Sequence, residues 1–182
     1  MHPRIEQVPE KKLVGKRLKM SLTNDKTGEL WRSFMPRRKE ISNAVTTDLF
    51  CLQVYEKPLD YSTFNPVTEF EKWAAVEVAD FETIPAEMEA FTLPGGLYAV
   101  FRYQGASSEF ADTFHFIFGD WLPNSEYVVD NRPHFEIMGY NYKNNDPASE
   151  EEIWVPIKPK EEHQFPVPLI DVTPASRAGR SF

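Results

Sequence analysis

Gly96-Leu97-Tyr98-Ala99-Val100-Phe101-Arg102-Tyr103 follows the turn dipeptide Pro94-Gly95 and stops before Gly105. An apolar, aromatic run bounded by such residues reads as a β-strand. Beyond it, Phe110, Phe114, Ile117, Phe118 and Trp121 recur at spacings of four, three, one and three. That is the period of an amphipathic helix, entered after Ser107-Ser108 and ended by Pro123. His134–Tyr140 (HFEIMGY) and Glu151–Ile157 (EEIWVPI) read as two more strands. The order in this half is strand, helix, strand, strand.

The first half carries the same order. Lys12–Leu22 loosely alternates apolar and polar residues in its second half as a half-buried strand does, and Thr23-Asn24-Asp25 offers short side chains to cap a helix. Leu30, Trp31, Phe34 and Ile41 then share a helical face, with Pro36 set to kink it or to start a second short helix. Asp48–Glu56 and Glu69–Asp80 read as strands joined by a loop from Lys57 to Pro66. Val8-Pro9 recurs as Leu93-Pro94 at an offset of 85, and Trp73 as Trp154 at an offset of 81. The expectation is an α+β fold of duplicated strand-helix-strand-strand modules, about 4–82 and 88–158, in one domain spanning 1–158. Pro159, Pro166, Pro168 and Pro174 mark residues 159–182 as an extended tail.

With 182 residues, 41% hydrophobic and 26% charged, the composition is that of a globular domain, which excludes collagen, coiled coil and wholesale disorder. No apolar run is long enough for a membrane span, and MHPRIEQVPEKK has no signal-peptide core. The lone Cys51 points to a reducing cytoplasm. Net charge is -8, but residues 1–40 carry 11 Lys/Arg against 5 Asp/Glu. Without a helix-turn-helix pattern, this basic quarter is expected to lie against the acidic stretch 69–89 rather than on nucleic acid.

Glu136 is the most informative carboxylate. Strand alternation places it with His134 and Met138, opposite Phe135 and Ile137. A carboxylate facing an apolar interior is costly unless a cation or donor meets it, whereas one facing solvent is an ordinary strand residue. The 25 aromatic residues supply candidates for a cation-binding cage or for plain core packing: Tyr98, Phe101, Tyr103, Trp121, Tyr140 and Trp154. His2, His115, His134 and His163 have no metal-ligand spacing, so neither metal nor cofactor is expected. No nucleophile–base set emerges; a catalytic variant of the site would couple Glu136 with a nearby tyrosine such as Tyr98.

The run Leu93–Gly105, followed by Asp120-Trp121-Leu122-Pro123-Asn124-Ser125, then Pro133-His134-Phe135-Glu136 and Glu152-Ile153-Trp154-Val155-Pro156-Ile157, resembles the GyrI-like, AraC-type effector-binding domain. Leu30-Trp31-Arg32-Ser33-Phe34 is similar to the family's first helix. The resemblance implies two modules related by a pseudo-twofold axis, an antiparallel curved sheet, and a ligand cleft framed by the two helices. It also implies that Glu136 takes the role of the glutamate that meets cationic aromatic ligands in multidrug-responsive members. Tyr98 and Trp121 are weaker carry-overs, and Tyr140, Trp154, Trp31 and Phe101 complete the expected ligand-binding set. Because the chain begins almost at the first strand, a stand-alone domain is expected rather than a one-chain transcription factor. The resulting expectation is a module binding amphipathic or cationic small molecules, with no direct nucleic-acid or membrane contact. The alternatives are a hydrolase of electrophilic small molecules and a protein-interaction module acting on gyrase or another protein partner.

Overall fold

Two very short links decide how the sheet is wound. In the computed structural model, which describes residues 2–106, 109–143 and 146–161, β1 (Arg4–Val8) passes to β2 (Lys11–Met20) through Pro9-Glu10 alone. In the same way β5 (Glu89–Leu93) passes to β6 (Gly96–Gln104) through Pro94-Gly95. Between them lie α1 (Thr27–Phe34) with a 3-10 turn (Met35–Glu40), then β3 (Leu49–Val54) and β4 (Phe70–Glu77). After β6 come α2 (Phe110–His115), which runs on through a π-helical turn (Phe116–Trp121) and a closing turn (Leu122–Asn124), then β7 (Tyr127–Val129), β8 (His134–Met138) and β9 (Glu150–Pro159).

The strands form one antiparallel sheet in the order β1-β6-β9-β8-β3-β4-β2-β5, with β7 on β9. Exchanging β1 with β5, β2 with β6, β3 with β8 and β4 with β9 reproduces the same pairings, so the duplication read from the sequence is present in the ladder. The leading strand of each half, however, is traded: β1 pairs β6 and β5 pairs β2. Neither link turns its chain back: the register that sets Val8 against Gly96 carries on unshifted to Lys11 against Leu93, so the two links lie side by side and each chain passes to the far end of the strand order. A Cβ on Gly95 would lie 2.9 Å from both the Glu10 amide nitrogen and the Val8 carbonyl oxygen, an approach that requires glycine there.

The sheet has two different faces. One is curled around Val8, Leu13, Phe50, Leu52, Trp73, Leu93, Tyr98, Val100, Phe135 and Trp154, a core drawing on both sheet edges. The other carries both helices. Leu30 and Phe34 of α1 pack on Val14, Ala74 and Val76, and Ile117 and Phe118 beyond α2 pack on Ala99, Phe101, Ile153 and Val155. α1 starts where Asp25 Oδ1 accepts the Thr27 amide at 2.8 Å, and Pro36 opens the 3-10 turn because it has no amide proton to lose.

Against the sequence expectations, β1, β5 and β7 are additional, β8 ends at Met138 instead of Tyr140, and β9 extends to Pro159. Lys160, expected in the tail, bonds the Pro123 and Ser125 carbonyls through Nζ at 2.8 and 2.6 Å. Ser107-Ser108 and the rest of the tail, residues 162–182, lie outside the described residues. The basic first quarter does lie against the acidic stretch, through the ion pairs Lys11–Glu77, Arg17–Glu71, Arg17–Glu89, Lys19–Glu69 and Arg37–Glu87.

Candidate functional site

The strand register sets out the floor between the helices as three rungs. The central one runs Ala74, Cys51, Glu136, Ile153, Phe101 across β4, β3, β8, β9 and β6. One step toward the β3–β4 loop lies Lys72, Gln53, His134. One step the other way, Leu49 pairs Met138, and Glu151 lies two residues from Ile153 on the same face. Glu136 therefore stands at the centre of the helix-bearing face, in a cleft with α1 on one side and α2 on the other. Diagonal neighbours on adjacent strands have Cβ atoms about 7 Å apart, which sets the separation of Glu136 and Glu151.

Gln53 Nε2 donates to Glu136 Oε1 at 3.4 Å and leans toward Cys51 Sγ at 3.9 Å. Lys72 Nζ is held by Thr27 Oγ1 at 3.1 Å, at the start of α1. Burial works against this ammonium, but Glu136 and Asp25 hold its pKa above the ordinary lysine value. Burial, reinforced by Glu136, lifts the Glu151 carboxyl to about 7, with Lys72 pulling the other way. Burial takes His134 down to about 3, so its imidazole is neutral, and pushes the Cys51 thiol up into its protonated form. The hydroxyls of Tyr55 and Tyr142 are both raised, first by burial and then by the carboxylates. Among the described residues neither Glu136 nor Glu151 forms an ion pair. The cleft floor thus holds two carboxyl groups against one lysine that is also shared with Asp25.

Of the residues singled out from the sequence, only Glu136 sits on this floor with its carboxylate in the cleft. Phe101 is on the same face but fully buried beneath Trp121, their rings 5.1 Å apart and nearly perpendicular. Trp121 is itself half-buried against Tyr127. Trp31 is half-buried on α1, edge-on to Phe34. Tyr98 and Trp154 lie on the opposite face. The Tyr98 hydroxyl donates to the Pro133 carbonyl at 3.2 Å with Arg132 over its ring, and Trp154 stacks on Phe135. The reason is strand parity: Tyr98 is three residues from Phe101, an odd step that reverses its face. The Glu136–Tyr98 couple is therefore not brought together. Tyr140 follows the end of β8 and is fully exposed.

What the sequence reading missed is Lys72, Gln53, Tyr55, Tyr142 and Glu151. Lys72 had a signal, being the lone cation in the acidic stretch 69–89 and in phase with Phe70 and Ala74. A concavity of about 980 Å³ opens beside the floor, under the 55–69 loop, where Tyr55, Phe64 and Phe70 line it.

Residues 1–158 match the family model of the GyrI-like small molecule binding domain. The transcriptional regulator BrlR of Pseudomonas aeruginosa is 28% identical over 161 residues, which cover 86% of this chain and 56% of BrlR. The chain thus spans little more than half the length of that relative. Among solved structures, SAV2435 bound to tetraphenylphosphonium superimposes with a TM-score of 0.58 at 19% identity, over 90% of this chain and 98% of that one. A hydrolase encoded by lin2189 from Listeria innocua does so with a TM-score of 0.58 at 13% identity, over 86% and 92% of the two chains. At such identities the likeness is one of fold, and a fold hosts more than one chemistry.

Proposed function

Because this chain belongs to the GyrI-like small-molecule binding domain family, we propose that the cleft between α1 and α2 is its ligand site and that Glu136 is the counter-charge for amphipathic or aromatic cations. The observation that carries this is the position of Glu136: central, half-buried, bonded to the neutral Gln53 amide and the Cys51 thiol, and without an ion-pair partner among the described residues. A carboxylate in such a place has lost part of its hydration, and a cationic ligand restores the lost stabilisation. That SAV2435 binds tetraphenylphosphonium supports the choice of probe.

The test is calorimetric titration of wild type and Glu136→Gln with methyltriphenylphosphonium and with neutral triphenylphosphine oxide. The cation is expected to bind the variant about tenfold to a hundredfold more weakly, the loss for a charged hydrogen-bond partner, while the neutral compound binds both alike. Equal affinity of the cation for both proteins overturns the role of Glu136.

A further inference from the structure

The concavity of about 980 Å³ under the 55–69 loop does not lie over Glu136, yet it shares a wall with the cleft. That wall is Tyr55. Its ring lies 5.6 Å from His134, which belongs to the rung next to Glu136, and 5.5 Å from Phe70, which lines the concavity. On the far side the loop is anchored to the helix opposite. Leu59 is buried with Ile117 and Phe118, Phe64 packs on Phe114 at 5.6 Å, and the Tyr61 hydroxyl meets His115 Nδ1 at 2.5 Å. The loop is thus a strap from the first half to α2, and the space beneath it is walled on both sides.

The lining gives the chemistry. Tyr55, Leu59, Phe64 and Phe70 are apolar walls on the helix-bearing side, while by strand alternation Val54, Glu56, Lys19, Glu69 and Glu71 line it from the opposite face at the strand ends. Lys19 is paired with Glu69 at 2.7 Å, and Glu71 with Arg17 at 2.7 Å. A space of this volume accommodates a drug-sized apolar group. The charges already in pairs do not ask for an anion.

We propose that the concavity under the 55–69 loop is a second ligand subsite, taking the alkyl or aryl tail of an amphipathic cation whose charge sits at Glu136, and that Tyr55 is the partition that sets how long a tail must be to reach it. This rests on the reading of Glu136 as counter-charge. Two rungs separate Glu136 from Tyr55 and Phe70, about 13 Å along the strands. A short cation fills only the cleft, whereas a long one passes Tyr55.

The experiment uses the full chain and alkyltriphenylphosphonium ions with methyl, hexyl and dodecyl tails, each below its micelle concentration. Full burial tightens binding about fourfold per methylene, and tail ordering takes back part of this. In wild type, dodecyl is expected to bind at least about tenfold tighter than hexyl, with hexyl close to methyl. Thr68→Trp, which fills the concavity from its rim, is expected to remove the dodecyl advantage and leave methyl binding unchanged. Tyr55→Ala is expected to move the advantage to hexyl. Thr63→Trp, at an exposed position of the same lining, serves as the second filling variant should Thr68→Trp not fold. The same affinity for all three tails in wild type overturns the subsite, as does an undiminished dodecyl advantage in a folded filling variant. Loss of the Glu136→Gln effect on the methyl compound overturns the counter-charge reading instead, so the two failures are distinct.

Discussion

Glu151 is a residue whose ionisation reports on the whole cleft. Its carboxyl titrates near 7 in the fold because burial and then Glu136 disfavour the anion, against about 4.3 in an unfolded chain. Below about pH 4 it is protonated in both states and contributes nothing. Between there and 7 the unfolded chain gives up the proton and the native state keeps it, so stability falls as pH rises. Above 7 the penalty is fully in force. Glu151 is partly exposed, so solvent screening reduces the effect to about 1–2 kcal/mol. Urea unfolding at pH 5 and pH 8 should therefore show wild type losing about that much more stability than Glu151→Gln over the interval. An identical pH dependence in the two proteins would show that the fold does not raise the Glu151 carboxyl. The sequence marked Glu136 through its apolar neighbours, but Glu151 lay in an acidic strand end with nothing local to distinguish it. Only the pairing of β8 with β9 makes the two neighbours.

At the scale of elements, the strands show why the aromatic cage read from the sequence is dispersed. Alternation sorts β6 into Phe101 and Tyr103 beneath α2, and Tyr98 and Val100 in the opposite core. Applied along β6, the same parity separates Tyr98 from Phe101, and the pairing of β6 and β8 through β9 then puts Phe101 on the side of Glu136. The prediction is that Tyr98→Phe, which removes the bond to the Pro133 carbonyl, costs about 1 kcal/mol of stability and leaves phosphonium affinity as in wild type. A weakened affinity in a stably folded Tyr98→Phe would return Tyr98 to the site. Helix α2 was legible from its aromatic period, while its π-helical turn was not. A widened turn of this kind depends on what the helix rests upon, here Phe101 against Trp121 and Phe116. The strap of residues 55–69 read only as a loop, because its hold on Phe114 and His115 joins residues about 50 positions apart.

For the whole molecule, the repeat in the sequence was real but said nothing about exchange. Trp73 and Trp154 occupy equivalent positions, facing Leu52 and Phe135 in matching ladders, so the offset pair did report the duplication. The trade of β1 for β5 follows from the two adjoining links, which carry each chain on without reversing it, a tertiary fact that no strand pattern encodes. Its consequence is that neither half closes its own sheet. A fragment of residues 1–86 lacks β5, which covers the edge of β2, and β8, which pairs β3, while its β1 has no β6 to join. It would leave Leu13, Phe50, Leu52 and Trp73 facing water, since their core is completed by Leu93, Tyr98, Phe135 and Trp154. Such a fragment is expected to show no cooperative thermal transition by circular dichroism, and mixing it with residues 87–182 is expected to restore one. The full chain should melt once, with near- and far-ultraviolet signals coincident. A cooperative melt of residues 1–86 alone would mean that the halves are independent modules. In that case the cleft at their junction could open by separation of the modules, whereas the exchanged strands hold its floor, Glu136 included, as one continuous sheet.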